Sequence, residues 1–485
     1  MIQKLDTIRI EASNALDQKK RSELGQFMTP VRIAQFMASL FSKIDQPVHL
    51  LEAGAGIGSL AGAFLERLLE NNRHSSASIT AYEIDPGLSQ YLANNLRAYE
   101  RVFFDRGKSL STKILTDDFI LSTRPNSEPN FTHAILNPPY KKINSLSDHR
   151  LHLRSLGQEH VNLYSAFVGL ALSLLHSKGE LVAILPRSFC NGVYYKPFRE
   201  YVLNHAAIKS IHLFESRTDA FKDDEVLQEN IIIHLKKNSR QGDVVLSTSR
   251  NSGLDNLTTK RVPFSSIVKR NNPELFIHIP QRESSTFIHD KINFTLKEIG
   301  LQVSTGPVVD FRVKKYLRMN SSQGSMPLLY AIHFDGRGIS WPKVTKKPNA
   351  LIINKETIRS AIPNGFYTVV KRFSSKEEKQ RIVARVIEPT LFSTKLIGLE
   401  NHLNFFHFDK HGINKDLAYG LAAYLNTSFV DNVFRSFNGH TQVNATDLRQ
   451  LKYPSREALI SIGKWAKKIK NFTPENLDAK VMQSL

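Results

Sequence analysis

The chain has 485 residues, 41% hydrophobic and 9% aromatic, enough for two or three packed cores. Its net charge of +20 is lopsided: residues 1 to 245 hold 29 Lys and Arg against 26 Asp and Glu (+3), the remainder 36 against 19 (+17), which favours a polyanion partner over a merely solubilising surface. A single cysteine, Cys190, excludes an intramolecular disulfide and a cysteine-rich zinc site, and the lack of a long apolar run or leader leads us to expect a cytoplasmic protein without membrane contact.

In chain order, residues 1 to 22 predict a helix, with Ile2, Leu5, Ile8 and Leu16 among charges, ended by Gly25; a second short helix follows. Strand and helix then alternate. Strands are predicted at Val48 to Glu52, Ser78 to Ile84, Lys113 to Leu115 and His133 to Leu136, with helices from Ser59 to Glu70 and around Leu88 to Leu96. A helix at Tyr164 to Leu175 and strands at Gly179 to Leu185, Ile208 to Phe214 and Asn230 to His234 continue the pattern. Such alternation predicts an α/β, doubly wound, Rossmann-like parallel sheet with helices on both faces. After about residue 240 the rhythm gives way to short strand-like pieces, prolines and basic clusters, so domains are expected at 1–245 and 246–485, the second of mixed α+β type. Within it, 410–435 and 455–470 read as helical. Leu459, Ile462, Ala466 and Ile469 form a stripe beside Lys464, Lys467, Lys468 and Lys470, which suits a packed helix with a solvated basic face as well as a DNA-facing one.

The chemistry concentrates in four loops after strands. Leu51-Glu52-Ala53-Gly54-Ala55-Gly56-Ile57-Gly58 opens a helix, and its glycines permit a tight turn with a ligand close to the backbone. Glu83, in Tyr82-Glu83-Ile84-Asp85 after the second strand, is placed to accept from both hydroxyls of a ribose. Asp118-Phe119 offers an acceptor for an adenine amino group and an aromatic wall. Asn137-Pro138-Pro139-Tyr140 follows Ala134-Ile135-Leu136; its prolines end the strand, the Asn137 side-chain oxygen and the Pro138 carbonyl form an acceptor pair for one planar NH2 group, and Tyr140 offers a flat face for stacking.

In this order the four motifs resemble the S-adenosylmethionine-dependent N6-adenine DNA methyltransferases of bacterial restriction-modification systems. Gly25-Gln26-Phe27-Met28-Thr29-Pro30, ahead of the glycine turn, is similar to the N-terminal cofactor motif of their gamma group, in which the recognition domain comes last. Trp341-Pro342, Lys371-Arg372-Phe373, the run from Phe434 to Asn444 and Asp447-Leu448-Arg449 resemble the tail of the BsuBI/PstI-type modification methylases. The likeness covers most of the chain, with nothing diagnostic from 246 to 330. It implies that Phe27, Thr29, Pro30, Glu52, Gly54, Gly56, Glu83, Asp118, Phe119 and Asn137 surround S-adenosyl-L-methionine, and that Asn137, Pro138, Pro139 and Tyr140 act on a flipped-out adenine, stacked between Tyr140 and Phe221. For the second domain it implies target recognition. Lys343, Lys346, Lys347, Lys371, Arg372 and Arg381 are expected at phosphates, and Arg435, Asn438, His440, Gln442 and Asn444 at base edges.

No covalent intermediate is expected, because Cys190 follows Phe189 in Arg187-Ser188-Phe189-Cys190 and lacks a Pro-Cys motif. No metal is expected either: His402, His407 and His411 lie close in sequence without a ligand pattern around them. The cofactor motif starts at Gly25, and no paired-carboxylate-plus-lysine nuclease pattern is found later, which argues against a combined nuclease and methylase. The resemblance implies a separate cognate endonuclease as partner, with action alone in epigenetic control left open. Three alternatives stay open: an RNA adenine substrate, a protein glutamine amide, whose NH2 is also planar, and a non-catalytic DNA-binding specificity protein.

Overall fold

The computed structural model describes residues 2–15, 28–42, 44, 47–70, 76–124, 127–214, 229–269, 272–279, 292–336, 338–375, 377–469 and 474–484. Two compact units divide the chain, Met1–Ile279 and Pro280–Leu485.

The first unit begins with α1 (Ile2–Ala15) and α2 (Val31–Ser39), then alternates through β1 (Val48–Ala53), α3 (Ser59–Glu70), β2 (Ser76–Tyr82), α4 (Pro86–Asp105), β3 (Ser109–Leu115), α5 (Phe119–Ser122) and β4 (Phe131–Leu136). It continues through α6 (Asp148–Ser155), α7 (Leu163–Leu174), β5 (Leu175–Pro186), α8 (Lys196–His205), β6 (Ala206–Phe214), β7 (Asn230–Lys237), β8 (Val244–Ser249), β9 (Thr258–Val262) and α9 (Phe264–Ile267). The nine strands form one sheet in the order β3-β2-β1-β4-β5-β7-β6-β8-β9. β1 pairs in parallel with β2 on one side and β4 on the other, and only β7 and β9 run antiparallel to their neighbours. The strand order therefore reverses between β1 and β4, and a crevice for ligands opens at their carboxyl ends. Period-two alternation loads both faces. Leu51, Ala134, Leu136 and Ala183 pack with α7, while Leu50, Ile79, Ile135 and Val182 pack with α2 to α4.

Local sequence accounts for the elements around that crevice. α3 spans the predicted residues. α4 exceeds the predicted bounds at both ends: Asp85 caps it, accepting from the Leu88 amide at 3.0 Å, Pro86 opens it, and no glycine or proline interrupts it from Leu88 to Asp105. The expected domain boundary at 245/246 falls inside β8. That strand pairs in parallel with β6 from Ser210 and Val245 to Phe214 and Ser249, and buries Val244 and Leu246, so the first unit extends to Ile279.

The second unit holds a four-stranded antiparallel sheet, ordered Gln302–Thr305, Leu403–His407, Tyr367–Lys371 and Ala384–Ile387. A five-stranded mixed sheet is ordered Leu317–Arg318, Ala350–Ile352, Ser325–Leu329, Leu396–Leu399 and Ala361–Pro363. The helix predicted at 410–435 is two, Lys415–Leu425 and Ser428–Phe437, because Thr427 caps the second at the Val430 amide. Helix Arg456–Ala466 buries Leu459, Ile462 and Ala466, and Lys467 just beyond it bonds Asp416 at 2.6 Å, so its stripe is a packing face.

Candidate active site

A cavity of about 440 Å³ lies at the carboxyl ends of β1, β2 and β4. Its floor is the turn after β1, where the amides of Gly54 and Ala55 both donate to the Tyr82 carbonyl at 2.9 Å. Gly54 has φ +73°, and a Cβ there would stand 3.7 to 3.9 Å from Phe167, Pro139 and the Asn137 carbonyl, so the turn and the Asn-Pro-Pro-Tyr loop face each other across this space. At Gly58, φ +85°, a Cβ would meet Leu92 at 2.8 Å, which fixes glycine where α3 begins.

Two carboxylates stiffen the floor. Glu52 accepts from the Ala61 amide at 3.1 Å in the first turn of α3, and burial pushes its pKa well up against that bond. Glu83 accepts from the Gly56 amide at 2.7 Å and the Asp85 amide at 2.8 Å, and burial raises its pKa too. Each Glu83 oxygen keeps a second lone-pair direction for a vicinal diol. Beside them Ser59 lines the cavity with a buried hydroxyl that has no hydrogen-bond partner among the described residues, and it sits at the start of α3, where backbone amides favour an anionic group.

One wall is aromatic. Phe119 packs edge-on to Tyr82, with ring centroids 5.0 Å apart, and lies 5.1 Å from Phe167. Asp118 stands ahead of Phe119; one oxygen caps α5 at the Leu121 amide, 3.0 Å, and the other is 2.8 Å from His149 Nε2. Taken together, this wall, the diol acceptor, the amino-group acceptor and the unpaired hydroxyl fit a nucleoside that carries an amino-acid tail.

The opposite rim is the loop after β4. The Asn137 amide nitrogen donates to Thr29 Oγ at 3.0 Å, which assigns the other pole of the amide as acceptor, and Tyr140 donates to that oxygen at 3.3 Å. Thr29 is buried and lines the cavity with Asn137 and Pro139. Pro138 is buried behind the rim, and Tyr140, half-buried, sets its ring edge-on to Tyr164 at 6.2 Å. Burial pushes the Tyr140 phenol up, so it stays a donor. Cys190 is buried and its thiol is pushed up to about 12, which keeps it protonated.

Of the residues singled out from sequence, Thr29, Glu52, Gly54, Gly56, Glu83, Asp118, Phe119, Asn137 and Pro139 line this one cavity. Pro30 begins α2 beside it, while Phe27 and Phe221 lie outside the described residues. Sequence reading missed Ser59, Phe167 and His149. Ser59 is the first residue of the helix that the glycine turn opens, and that position was a readable signal; Phe167 arrives through α7, predicted as a helix but with no motif that ties it to the site, and His149 through α6, which was not predicted. Among the described residues no three His, Cys, Asp or Glu side chains gather as metal ligands.

The second unit corrects several expectations. Arg381 is 1% exposed and donates to Ser374 Oγ at 3.1 Å, to Asn438 Oδ1 at 2.9 Å and to the His440 carbonyl, so it braces its own loop rather than meeting phosphate. Asn438 is equally buried, bonding Gln442 O and Asp447, and so does not reach a base edge. Asn444 forms a capping box with Asp447 at the start of Ala445–Gln450, and Arg435 pairs with Asp431 and donates to Glu378 O. Lys346 is exposed, and Gln442, His440, Lys371 and Arg372 are half-exposed, with Arg372 donating to Asn401 O at 3.1 Å. Lys343 donates to the carbonyls of Ile332 and Phe334, and Lys347 pairs with Asp310 at 3.1 Å.

Residues 62–221 match the family model described as Eco57I restriction-modification methylase. The whole chain is 48% identical over 500 aligned residues to the type II methyltransferase M.BsuBI of Bacillus subtilis, covering 98% of it. It is 43% identical to the type II methyltransferase M.PstI of Providencia stuartii, over 94% of this chain and 92% of that one. In fold it is similar to the type IIL restriction-modification enzyme MmeI in complex with DNA, with a TM-score of 0.54 at 10% identity over 100% of this chain and 73% of that one.

Proposed function

This chain belongs to the type II methyltransferases of restriction-modification systems, and we propose that within that family it methylates N6 of one adenine in a specific duplex DNA sequence. Its cofactor is S-adenosyl-L-methionine, which supplies an electrophilic methyl group on a sulfonium. The observation that carries the adenine reading is the single cavity shared by the glycine turn and the Asn-Pro-Pro-Tyr rim, with the Asn137 amide held in one orientation by Thr29.

The residues divide the work as follows. Glu83 holds the ribose hydroxyls, Asp118 the cofactor's adenine amino group, Tyr82, Phe119 and Phe167 its ring, and Ser59 with the first turn of α3 its carboxylate. An exocyclic amine is a weak nucleophile because its lone pair is delocalised into the ring. Two acceptors on its N–H bonds, Asn137 Oδ1 and the Pro138 carbonyl, favour the tetrahedral nitrogen and stabilise charge where it develops. Reaching that amine requires the base to leave the stack, and Tyr140 supplies one wall for it. The wall opposite is assigned to Phe221.

Sequence recognition falls to the second unit, with Lys346, Lys371 and Arg372 at phosphates and His440 and Gln442 at base edges. The substrate places the enzyme on the cytoplasmic nucleoid, beside a separate endonuclease that cuts the same site unmethylated.

Replacing Asn137 by Ala removes one acceptor and the Thr29 bond together. Methyl transfer to duplex DNA is expected to fall by roughly 10² to 10³ or more, with DNA affinity largely kept. Mass spectrometry of nucleosides from the methylated duplex is expected to show N6-methyladenine. Near-normal turnover of the variant, or the methyl group on another base, overturns the reading.

A further inference from the structure

Asp118 does not offer a free carboxylate to the cavity. Its Oδ1 accepts from the Leu121 amide at 3.0 Å and its Oδ2 from His149 Nε2 at 2.8 Å, and both side chains line the cavity. His149 is the second residue of α6, which begins directly after Ser147; that cap accepts from the Arg150 amide. α6 is tied at two further points. His152 Nε2 lies 2.7 Å from the Thr123 carbonyl at the end of α5, and Arg150 and Arg154 both bond Glu159. The imidazole is therefore presented by a helix anchored to the same turn that carries Asp118. A carboxylate has about four lone-pair positions, so two occupied ones leave two. Which two remain is decided by the donors already in place.

We propose that His149 is a positioning residue for the cofactor: it fixes the rotation of the Asp118 carboxylate so that the open lone pairs face the amino group of the bound adenine. This rests on the reading of Asp118 as the acceptor for that group. Without His149 the carboxylate rotates about its last bond and meets the ligand in several orientations, which weakens binding before any chemistry takes place. The effect belongs to the cofactor alone. The acceptor pair for the target amine, at Asn137 and Pro138, does not pass through His149.

The test is calorimetric titration of the full-length protein, without DNA, using S-adenosylhomocysteine as the probe, on wild type, His149→Ala, His149→Gln, Asp118→Ala and the double variant His149→Ala/Asp118→Ala. His149→Ala is expected to weaken binding about tenfold or more, the usual effect of losing one hydrogen bond to a charged group. His149→Gln keeps a donor at similar reach and is expected to recover most of that loss. In the double variant the losses are expected not to add, ending near Asp118→Ala alone, because His149 acts through Asp118. In steady state, the KM for S-adenosylmethionine is expected to rise far more than kcat falls. Affinity of His149→Ala within about twofold of wild type, or losses that add fully in the double variant, overturns the proposal. Unchanged affinity in Asp118→Ala instead removes the reading of Asp118 beneath it. A purely structural anchor for α6 predicts a lower melting temperature with no rescue by glutamine, and that result also overturns it.

Discussion

Arg381 and Lys346 carry the same charge and have opposite circumstances. The guanidinium of Arg381 lies among Ser374, Asn438 and the His440 carbonyl, 5.4 Å from the Phe434 ring centroid, whereas Lys346 is exposed. A buried acceptor that loses its donor bears the full cost of desolvation, so Arg381→Leu strands two or three of them at once. That variant is expected to lower stability by about 3 kcal/mol or more in urea unfolding. Lys346→Ala is expected to leave the midpoint within roughly 0.5 kcal/mol of wild type. Equal effects would show that burial is not what separates the two. The run from Phe434 to Asn444 was legible as a motif and not as a role, because residue type shows hydrogen-bonding capacity and only the fold shows which capacity is already engaged. Glu52, Glu83 and Asn137 were legible for the converse reason: each stands at the carboxyl end of a strand, Glu52 within its last two residues and the other two directly after theirs, where the doubly wound fold must open its crevice.

Helices Lys415–Leu425 and Arg456–Ala466 meet backbone to backbone, and two glycines make that possible. A Cβ on Gly420 would come within 1.8 Å of the Leu459 carbonyl oxygen, and one on Gly463 within 1.7 Å of the Asp416 carbonyl oxygen. Two effects compete in Gly463→Ala. Helix propensity gains about 1 kcal/mol. The overlap is with main chain on both sides, which cannot rotate away, so the helices must separate and lose the packing of Leu459 and Ile462, an overpacking cost at or above the usual 1–3 kcal/mol. The clash wins, and a net destabilisation of about 2 kcal/mol is expected by thermal or urea unfolding. Gly242→Ala, with nothing among the described residues within 4 Å of its Cβ, serves as the control and is expected to be neutral. At this scale the sequence was readable where punctuation was local, as at the glycine turn that opens α3. It failed at β9, whose residues Thr258 to Arg261 are exposed and have no apolar alternation, since an edge strand with charged side chains is built to resist further pairing. It failed at β8 because that strand is specified by β6 beside it.

Charge remains asymmetric when the chain is divided where the structure divides it. Residues 1–279 hold 34 Lys and Arg against 28 Asp and Glu, and residues 280–485 hold 31 against 17, balances of +6 and +14. The imbalance was legible from composition; the boundary was not, because it depends on which sheet accepts β8 and β9. A basic unit engaged with duplex DNA releases counterions, and each phosphate neutralised contributes about 0.9 to the slope of log affinity against log salt. Were Lys343, Lys346 and Lys347 all at phosphates, changing the three to Ala would flatten that slope by nearly three units, roughly 2.7. Lys343, however, caps two carbonyls and Lys347 is paired with Asp310, so only Lys346 is offered without competition among the three. The expected flattening for the triple variant is therefore about one unit, most of it already present in Lys346→Ala. Binding to a duplex containing the methylated sequence, followed by fluorescence anisotropy between about 50 and 200 mM salt, measures it directly. A loss near three units would mean that Lys343 and Lys347 leave their protein partners for DNA, and an unchanged slope would place the phosphate-binding surface elsewhere on the second unit.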